Sequence, residues 1–175
     1  MSDPHSVTIR ARTDEDLDLL FRIAADLDTW EERNPGAPVP LTRAAYESRL
    51  AEIEGDVAHR GVLFVVVEGG APVGSVSLFG FDDLARHAEV GISLIQEARG
   101  HGAGTAALEQ IAAFAFERCN LRRLHLQAIA SNLGAIRAYE KAGFVIEGRQ
   151  REHAWVRGRY EDIVLMGRLR DPVED

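Results

Sequence analysis

The chain has 175 residues, of which 46% are apolar and 27% are charged, enough for one hydrophobic core and a solvated surface. The net charge of −8 disfavours binding to a phosphate backbone and would attract cations such as amines, although acidity also simply aids solubility. The single cysteine, Cys119, cannot form an internal disulfide, no apolar run approaches a membrane span, and the polar residues 1–5 lack the apolar segment of a secretory signal. We therefore expect one cytoplasmic domain over 1–175, with no membrane or nucleic-acid partner.

The first third of the chain predicts a strand followed by two helices. Residues 7–12 alternate apolar and polar side chains, as a half-buried strand does, and Thr13 is a typical N-cap before three acidic residues. From Leu17, apolar residues recur at i, i+3, i+4 and i+7, which predicts an amphipathic helix ending at the proline-rich loop 34–40. A second helix is expected at about 42–54.

The remaining segments alternate between strands and helices. They are, in chain order, strands 63–68, 72–81 and 87–95, helix 105–118, strand 121–130, helix 132–142, and strands 144–152 and 162–169. A turn is expected at Arg157-Gly158-Arg159, and Gly143 is a typical glycine at the end of a helix. Antiparallel runs beside two strand–helix units predict the α/β (α+β) class, with a mixed, mostly antiparallel central sheet and helices on both faces.

The strongest local signal is a glycine-rich turn between a predicted strand and an amphipathic helix, with the sequence Arg99-Gly100-His101-Gly102-Ala103-Gly104-Thr105. The first N–H groups of a helix lack partners within the helix, and the helix dipole adds partial positive charge at that end. Glycines keep side chains away, so a phosphate can approach these donors closely. Arg99 and His101 can add side-chain contacts, and the turn therefore predicts a phosphate or pyrophosphate site.

Other uses of such a turn fit the sequence less well. A P-loop requires a lysine in the turn, and none is present. A dinucleotide fingerprint can be placed on Gly102-x-Gly104-x-x-Ala107, but it requires an acidic residue at the end of the next strand, where the sequence has Ala130-Ser131-Asn132. Coenzyme A binding by an acyltransferase and a purely structural glycine turn remain.

Two motifs in this order carry a resemblance to the GNAT superfamily of N-acetyltransferases. Residues 99–104 match its pattern Gln/Arg-x-x-Gly-x-Gly/Ala, and residues 132–144 match its pattern of an Asn followed by Ala-Ile and Tyr-Glu-Lys-x-Gly-Phe. The segments 88–94 and 147–166 are similar to the branch of ribosomal-protein N-acetyltransferases. The order of predicted elements also resembles the GNAT fold over nearly the whole chain.

The resemblance implies that acetyl-CoA is the cosubstrate. Its pyrophosphate would lie on the N–H groups of residues 99–105, and its pantetheine arm would pair with the preceding strand at Ile92, Ser93 and Leu94. Asn132 would help to hold the arm. The resemblance to the family is also compatible with a homodimer.

Amine acetylation requires a neutral nucleophile, whereas alkyl amines resemble lysine, with a pKa of about 10. The leading candidate for the base is Glu89, on the strand that leads to the site; its alternatives are a surface carboxylate, an ion pair or a water chain. A register with Ala88 at that position would leave no side-chain base. In the family, a tyrosine at the position of Tyr139 lies near the thioester sulfur and serves as the acid, and simple packing is its alternative.

Other residues carry weaker signals. His87 and His125 are expected to be ordinary sheet residues, and no cluster has metal-ligand spacing, so we expect no metal. Trp30, Trp155 and loop 34–40 are candidates for the acceptor pocket, and equally for the core or an interface. The absence of a Ser-His-Asp or Cys-His pattern favours direct transfer without an acyl-enzyme.

The resulting expectation is acetyl transfer from acetyl-CoA to a primary amine, either a protein N-terminus or a small amine, by direct attack in a ternary complex. Three alternatives stay open: another acyl donor such as succinyl-CoA, a non-catalytic coenzyme A sensor on the same fold, and a nucleotide-binding regulator. The sequence does not identify the acceptor amine, since a fold hosts many activities.

Overall fold

The computed structural model describes residues 6–33, 37–55 and 61–171. Predictions about residues 1–5 and about 34–36 lie outside these ranges. The strands are β1 (Val7–Ala11), β2 (Val62–Glu68), β3 (Ala71–Asp82), β4 (His87–Leu94), β5 (Arg123–Ile129), β6 (Val145–Val156) and β7 (Arg159–Leu169). The helices are α1 (Leu17–Ala25), α2 (Leu27–Arg33), α3 (Arg43–Gly55), α4 (Ala103–Glu117) and α5 (Leu133–Lys141), with short 3₁₀ turns before α1 and α4.

The strands form one sheet in the order β1-β2-β3-β4-β5-β7-β6. Neighbours are antiparallel except β4 and β5, which are parallel and are joined by the crossover helix α4. Parallel neighbours need such a crossover because their connection must return to the starting edge of the sheet. The prediction of a mixed, mostly antiparallel sheet is confirmed.

The parallel pair β4–β5 separates soon after it begins. Within these two fully described strands, pairing runs only from His87 opposite Arg123 to Glu89 opposite His125. β5 stays paired to β7 along its whole length, and β4 stays paired to β3 as far as Leu94. The two strands therefore diverge, and a wedge-shaped gap opens between their carboxyl ends.

Helices cover both faces of this sheet, as predicted. On one face α4 buries Leu108, Ile111, Ala112 and Ala115 completely, against a core that includes Val76, Leu78, Ala88 and Leu124. These apolar positions of α4 are the ones that its helical periodicity predicts. On the opposite face, Leu20 of α1 packs on Val65 and Val67 of β2, beside Tyr46 of α3.

The prediction of one continuous helix from Thr13 to loop 34–40 is wrong, because the segment forms two helices, α1 and α2. Asp26 ends α1 with an extended backbone (ψ 114°), and its carboxylate accepts hydrogen bonds from the backbone N–H of Thr29, at 3.0 Å, and from the Thr29 hydroxyl. A carboxylate placed this way caps the start of a new helix, so α2 is a separate element from α1. The final hairpin also extends closer to its turn than predicted, so that only Arg157 and Gly158 lie between β6 and β7.

None of the helices in the described ranges combines the length and the apolar character that a membrane crossing requires.

Candidate active site

Two cavities meet at the wedge between β4 and β5. One, of about 300 Å³, lies beside the start of α4 and along α5. The other, of about 460 Å³, lies on the opposite side of β4, between the sheet and helices α1 and α3. They share six lining residues, which are Glu32, Ile92, Ser93, Asn132, Ala135 and Tyr139. We call them the α4 cavity and the α3 cavity.

The start of α4 presents backbone donors to the α4 cavity. Gly100, Gly102, Gly104 and Thr105 line it, and Gly102, the N-cap of α4, provides no side chain to satisfy the first N–H groups. Gly100 and Gly102 have φ of +88° and +106°, a region that side chains strongly disfavour, whereas an added Cβ at either position would meet nothing within 4 Å. The glycines are therefore required by backbone conformation, and the turn they form is suited to an anion.

Arg99 is anchored within the protein. Its backbone N–H donates to the carbonyl of Gln96 at 3.1 Å, its Nε donates to the carbonyl of Leu94 at 3.0 Å, and its Nη1 donates to Oε2 of Glu32 at 2.8 Å. Arg99 thus ties the glycine turn to β4 and to α2 while it lines the α4 cavity. A direct contact from Arg99 to a phosphate stays a prediction.

His101 is also engaged with a protein carboxylate. Its Nε2 lies 2.9 Å from Oε1 of Glu68, at the end of β2. Neither His101 nor the buried Ala103 is among the residues that line the α4 cavity. Their predicted roles at a pyrophosphate therefore depend on their backbone N–H groups.

The edge of β4 that faces the wedge is open. Ile92, Ser93 and Leu94 pair with β3 on one side only, and all three line the α4 cavity. On the β3 side the approach is very close, because a Cβ added at Gly74 would lie 2.0 Å from the carbonyl oxygen of Ser93. An open strand edge supplies the backbone hydrogen bonds that an extended amide-containing ligand needs.

Asn132 stabilises the elements around both cavities. Its Oδ1 accepts a hydrogen bond from the backbone N–H of Ala135 at 3.2 Å and so caps α5, and its Nδ2 donates to the carbonyl of Glu32 at 3.4 Å. Side-chain capping of this kind fixes where a helix begins. Asn132 therefore links α5 to α2 at the junction of the cavities.

Tyr139 lies on α5 at that same junction, since it lines both cavities. Its ring also contacts Phe144 edge to face, with centroids 6.3 Å apart, and packs against the main core. The packing contact is therefore present, and Tyr139 also borders both cavities. Its catalytic role stays a prediction.

Glu89 lines only the α3 cavity. Half-burial raises the pKa of its carboxyl, and in the described ranges no ion pair or hydrogen bond to this carboxyl is found, so the ion-pair alternative has no support. Ala88 is completely buried in the core beneath α4, and therefore cannot occupy the position facing the α3 cavity. The structure thus places a carboxyl with a raised pKa on the lining of the α3 cavity.

Several residues of the α3 cavity were missed by the sequence reasoning. Ser75 and Ser77 of β3 and Gln127 of β5 put polar groups on its floor, and Glu32 lies at its boundary with the α4 cavity. The serines alternate with buried apolar residues, so a polar period of two within a strand was the available signal. Of the tryptophan candidates, Trp30 lines the α3 cavity, whereas Trp155 is 53% exposed and packs on Tyr160.

No three His, Cys, Asp or Glu side chains are grouped as metal ligands in the part of the chain that the structure describes. The expectation that the enzyme uses no metal stays a prediction.

This arrangement defines the class of acyl-CoA-dependent acetyltransferases. A parallel strand pair opens beside a glycine-rich helix start, where a turn suited to an anion, an open strand edge and a second cavity meet. Residues 6–145 match the family described as Acetyltransferase (GNAT) domain. The chain belongs to the GNAT acetyltransferase family, and it is an acetyl-CoA-dependent N-acetyltransferase.

Known proteins with full-length similarity include the spermidine N(1)-acetyltransferase of Escherichia coli K12, which is 30% identical over 169 residues, covering 95% of this chain and 87% of that protein. "Putative ribosomal N-acetyltransferase YdaF" of Bacillus subtilis is 33% identical over 101 residues, or 58% of this chain and 55% of that protein. Among solved structures, the spermidine N-acetyltransferase of Vibrio cholerae in complex with CoA and spermine superposes with a TM-score of 0.83 at 26% identity, covering 93% of this chain and 95% of that one.

Proposed function

We propose that this enzyme transfers an acetyl group from acetyl-CoA to a primary amine by direct attack in a ternary complex. The observation that carries the proposal is the meeting of two cavities at Tyr139, one beside the start of α4 and the other beside Glu89. Two ligands entering from opposite sides of β4 would meet at that point. Direct transfer then needs no covalent enzyme intermediate.

Acetyl-CoA would supply an activated thioester, and this chain's residues would hold it. The N–H groups at the start of α4 would bind the pyrophosphate, and the open edge at Ile92, Ser93 and Leu94 would pair with the pantetheine amides. Backbone N–H groups at this edge would also polarise the thioester carbonyl as negative charge develops on its oxygen.

Glu89 and Tyr139 would manage the protons. Glu89 would take a proton from the incoming ammonium group, which must become neutral before it can attack. The raised pKa of Glu89 reduces the mismatch with an amine, whose pKa is about 10. Tyr139 would donate its proton to the departing thiolate, which explains its position at the junction of the cavities.

A small cationic amine is the acceptor that the α3 cavity supports best. Its volume of about 460 Å³ suits a small molecule, and its lining combines the carboxyl of Glu89 with the hydroxyls of Ser75 and Ser77. Similarity to spermidine acetyltransferases makes a polyamine the first acceptor to test. The shorter match to the ribosomal N-acetyltransferase name keeps a protein N-terminus as the second candidate.

Release of free thiol from acetyl-CoA tests this proposal. Spermidine, spermine, monoamines and a short peptide with a free N-terminus would be compared, with succinyl-CoA as the alternative donor. We expect amine-dependent thiol release with acetyl-CoA and a polyamine. Binding of coenzyme A without turnover of any acceptor would favour a sensor, and failure to bind coenzyme A would revive the nucleotide-binding alternative.

A further inference from the structure

A row of titratable side chains crosses the sheet at the closed end of the wedge. His87 and Glu89 alternate on β4 with the core residue Ala88, so both lie on the face away from α4. Glu89 is the register partner of His125 on β5. The imidazoles of His87 and His125 pack edge to face, with ring centroids 5.1 Å apart.

Four of the five strands around the two histidines, all within the described ranges, contribute a charged or titratable side chain, and the fifth, β7, contributes none. Arg123 and Glu147 form a paired contact, with Nη1 and Oε1 2.6 Å apart, and Glu147 lies over Gly167, the register partner of His125. The titratable and charged groups facing the pair are Asp82 from β3, Glu89 from β4, Arg123 from β5 and Glu147 from β6, while β7 contributes Gly167.

The proton balance of the reaction requires an exit for one proton. An ammonium acceptor loses two protons when it becomes an amide nitrogen with one hydrogen. The products retain one of these protons on the coenzyme A sulfur, which becomes a thiol. The other proton must be released to water. If Glu89 takes that second proton, it must release it before the next turnover, although it lies in a cavity that the acceptor fills.

We propose that His125 takes the proton from Glu89 and that His87 passes it to solvent, so that the two histidines restore the base after each turnover. The proposal rests on the proposed role of Glu89. Neither histidine lines the two cavities, so both act through Glu89 and neither is assigned contact with a substrate.

The geometry of His87 suits the outer end of such a path. Its Nδ1 is buried and, within the described ranges, has no hydrogen-bond partner. Its Nε2 lies 3.8 Å from Oδ2 of Asp82, and its side chain is 30% exposed. One ring nitrogen thus lies inside the protein, and the other faces an acidic group at the surface. Because the inner nitrogen is not hydrogen-bonded to His125, the step between the two imidazoles would pass through a bridging water.

The protonation of His125 supports the inner end. Burial, followed by the electrostatic effects of His87 and Arg123, lowers the pKa of His125 and so favours its neutral imidazole, the form that can accept a proton. Burial has the opposite effect on Glu89, because it raises the pKa of that carboxyl. The two shifts act to reduce the usual difference between the pKa values of these groups, which favours proton transfer between them.

The test is the response of His125→Gln to small buffers, with the exposed His153→Gln on β6 as the matched control. We expect kcat of His125→Gln to fall on the order of tenfold in dilute buffer with an unchanged KM for acetyl-CoA, and to recover as imidazole is added. His153→Gln and the unmodified enzyme should not respond to imidazole. His87→Gln should show the same recovery, and it carries the test if His125→Gln does not fold.

Three results would overturn the relay: a kcat of His125→Gln equal to that of His153→Gln, a loss that imidazole does not restore, or a Glu89→Gln/His125→Gln double variant slower than Glu89→Gln alone. Glu89→Gln separates this failure from failure of the proposed function. An impaired Glu89→Gln beside a normal His125→Gln removes only the relay. A fully active Glu89→Gln removes the base assignment and the relay together.

Discussion

Gly74→Ala tests whether the open edge of β4 depends on its close approach to β3. A Cβ at this position would lie 2.0 Å from the Ser93 carbonyl oxygen and 2.8 Å from Cα of Leu94, whereas ordinary contact begins at 3.4 Å. Both nearest atoms are backbone, so no side chain can rotate away. The strands must therefore separate by roughly 1.4 Å, at a cost of about 1–3 kcal/mol, typical of overpacking.

That cost predicts two measurable effects. For a domain of this size, 1 kcal/mol lowers Tm by about 2–4 °C, so Gly74→Ala should lower Tm by roughly 2–12 °C. Since the displaced residues 92–94 form the proposed edge for the pantetheine arm, KM for acetyl-CoA should rise on the order of tenfold, which corresponds to about 1.4 kcal/mol. Thermal unfolding and thiol-release kinetics measure the two effects separately.

Gly148→Ala is the matched control, because it lies in β6 and its added Cβ would meet only Leu165 at an ordinary 3.7 Å. We expect it to keep both Tm and KM. Equal Tm and KM values for Gly74→Ala and Gly148→Ala would refute the argument that the approach at Gly74 shapes the cofactor edge.

Three further predictions concern protons. Tyr139→Phe should lower kcat by roughly 10²–10⁴-fold, as loss of a general acid does, with KM for acetyl-CoA retained; a full kcat would leave Tyr139 a packing residue. In the unmodified enzyme, the rate should rise with pH as Glu89 loses its proton, above the usual range for a glutamate because its pKa is raised, and Glu89→Gln should abolish that limb of the pH–rate profile. Asp16→Asn should destabilise the fold at pH 7, and unfolding at several pH values should show the difference shrinking in acid.

The sign of the last prediction follows from the contacts of Asp16. Its carboxylate is 2% exposed and accepts hydrogen bonds from Arg10 at 2.7 and 2.8 Å and from the backbone N–H of Thr13 at 2.7 Å. Arg10 contributes most to lowering its pKa. A group with a lowered pKa stabilises the fold above its unfolded pKa, about 3.9, and loses that stabilisation as the pH falls below it. An Asp16→Asn difference independent of pH would contradict this assignment.

Local sequence patterns predicted most strands of the sheet and, of the candidate site, the glycine turn beside the α4 cavity. The periodicity of α4 and the alternation of β5 depend on neighbouring residues, and so does the glycine turn, which a strand-to-helix junction makes recognisable. The start of α2 was missed because it depends on a side-chain cap at Asp26 inside a sequence that is helical throughout by pattern.

The parts that sequence reasoning could not provide depend on distant contacts. The point at which β4 separates from β5 depends on how the two strands pair, and a whole helix lies between them in the sequence. The neighbouring glycines predict that Arg99 binds a phosphate, but its guanidinium is hydrogen-bonded to Glu32, which lies 67 residues earlier in the chain. The α3 cavity is assembled from four helices and four strands, and no short motif encodes such an assembly.

The two cavities are also divided along the chain. Apart from the six shared residues, everything that lines the α4 cavity comes after residue 93, whereas most of the lining of the α3 cavity comes before residue 80. In the proposed function, the residues that would select the acceptor therefore lie mostly in the first half of the polypeptide, and those that would bind the donor lie mostly in the second. A chimera that exchanges only the first eighty residues should bring a new amine preference while keeping its affinity for coenzyme A.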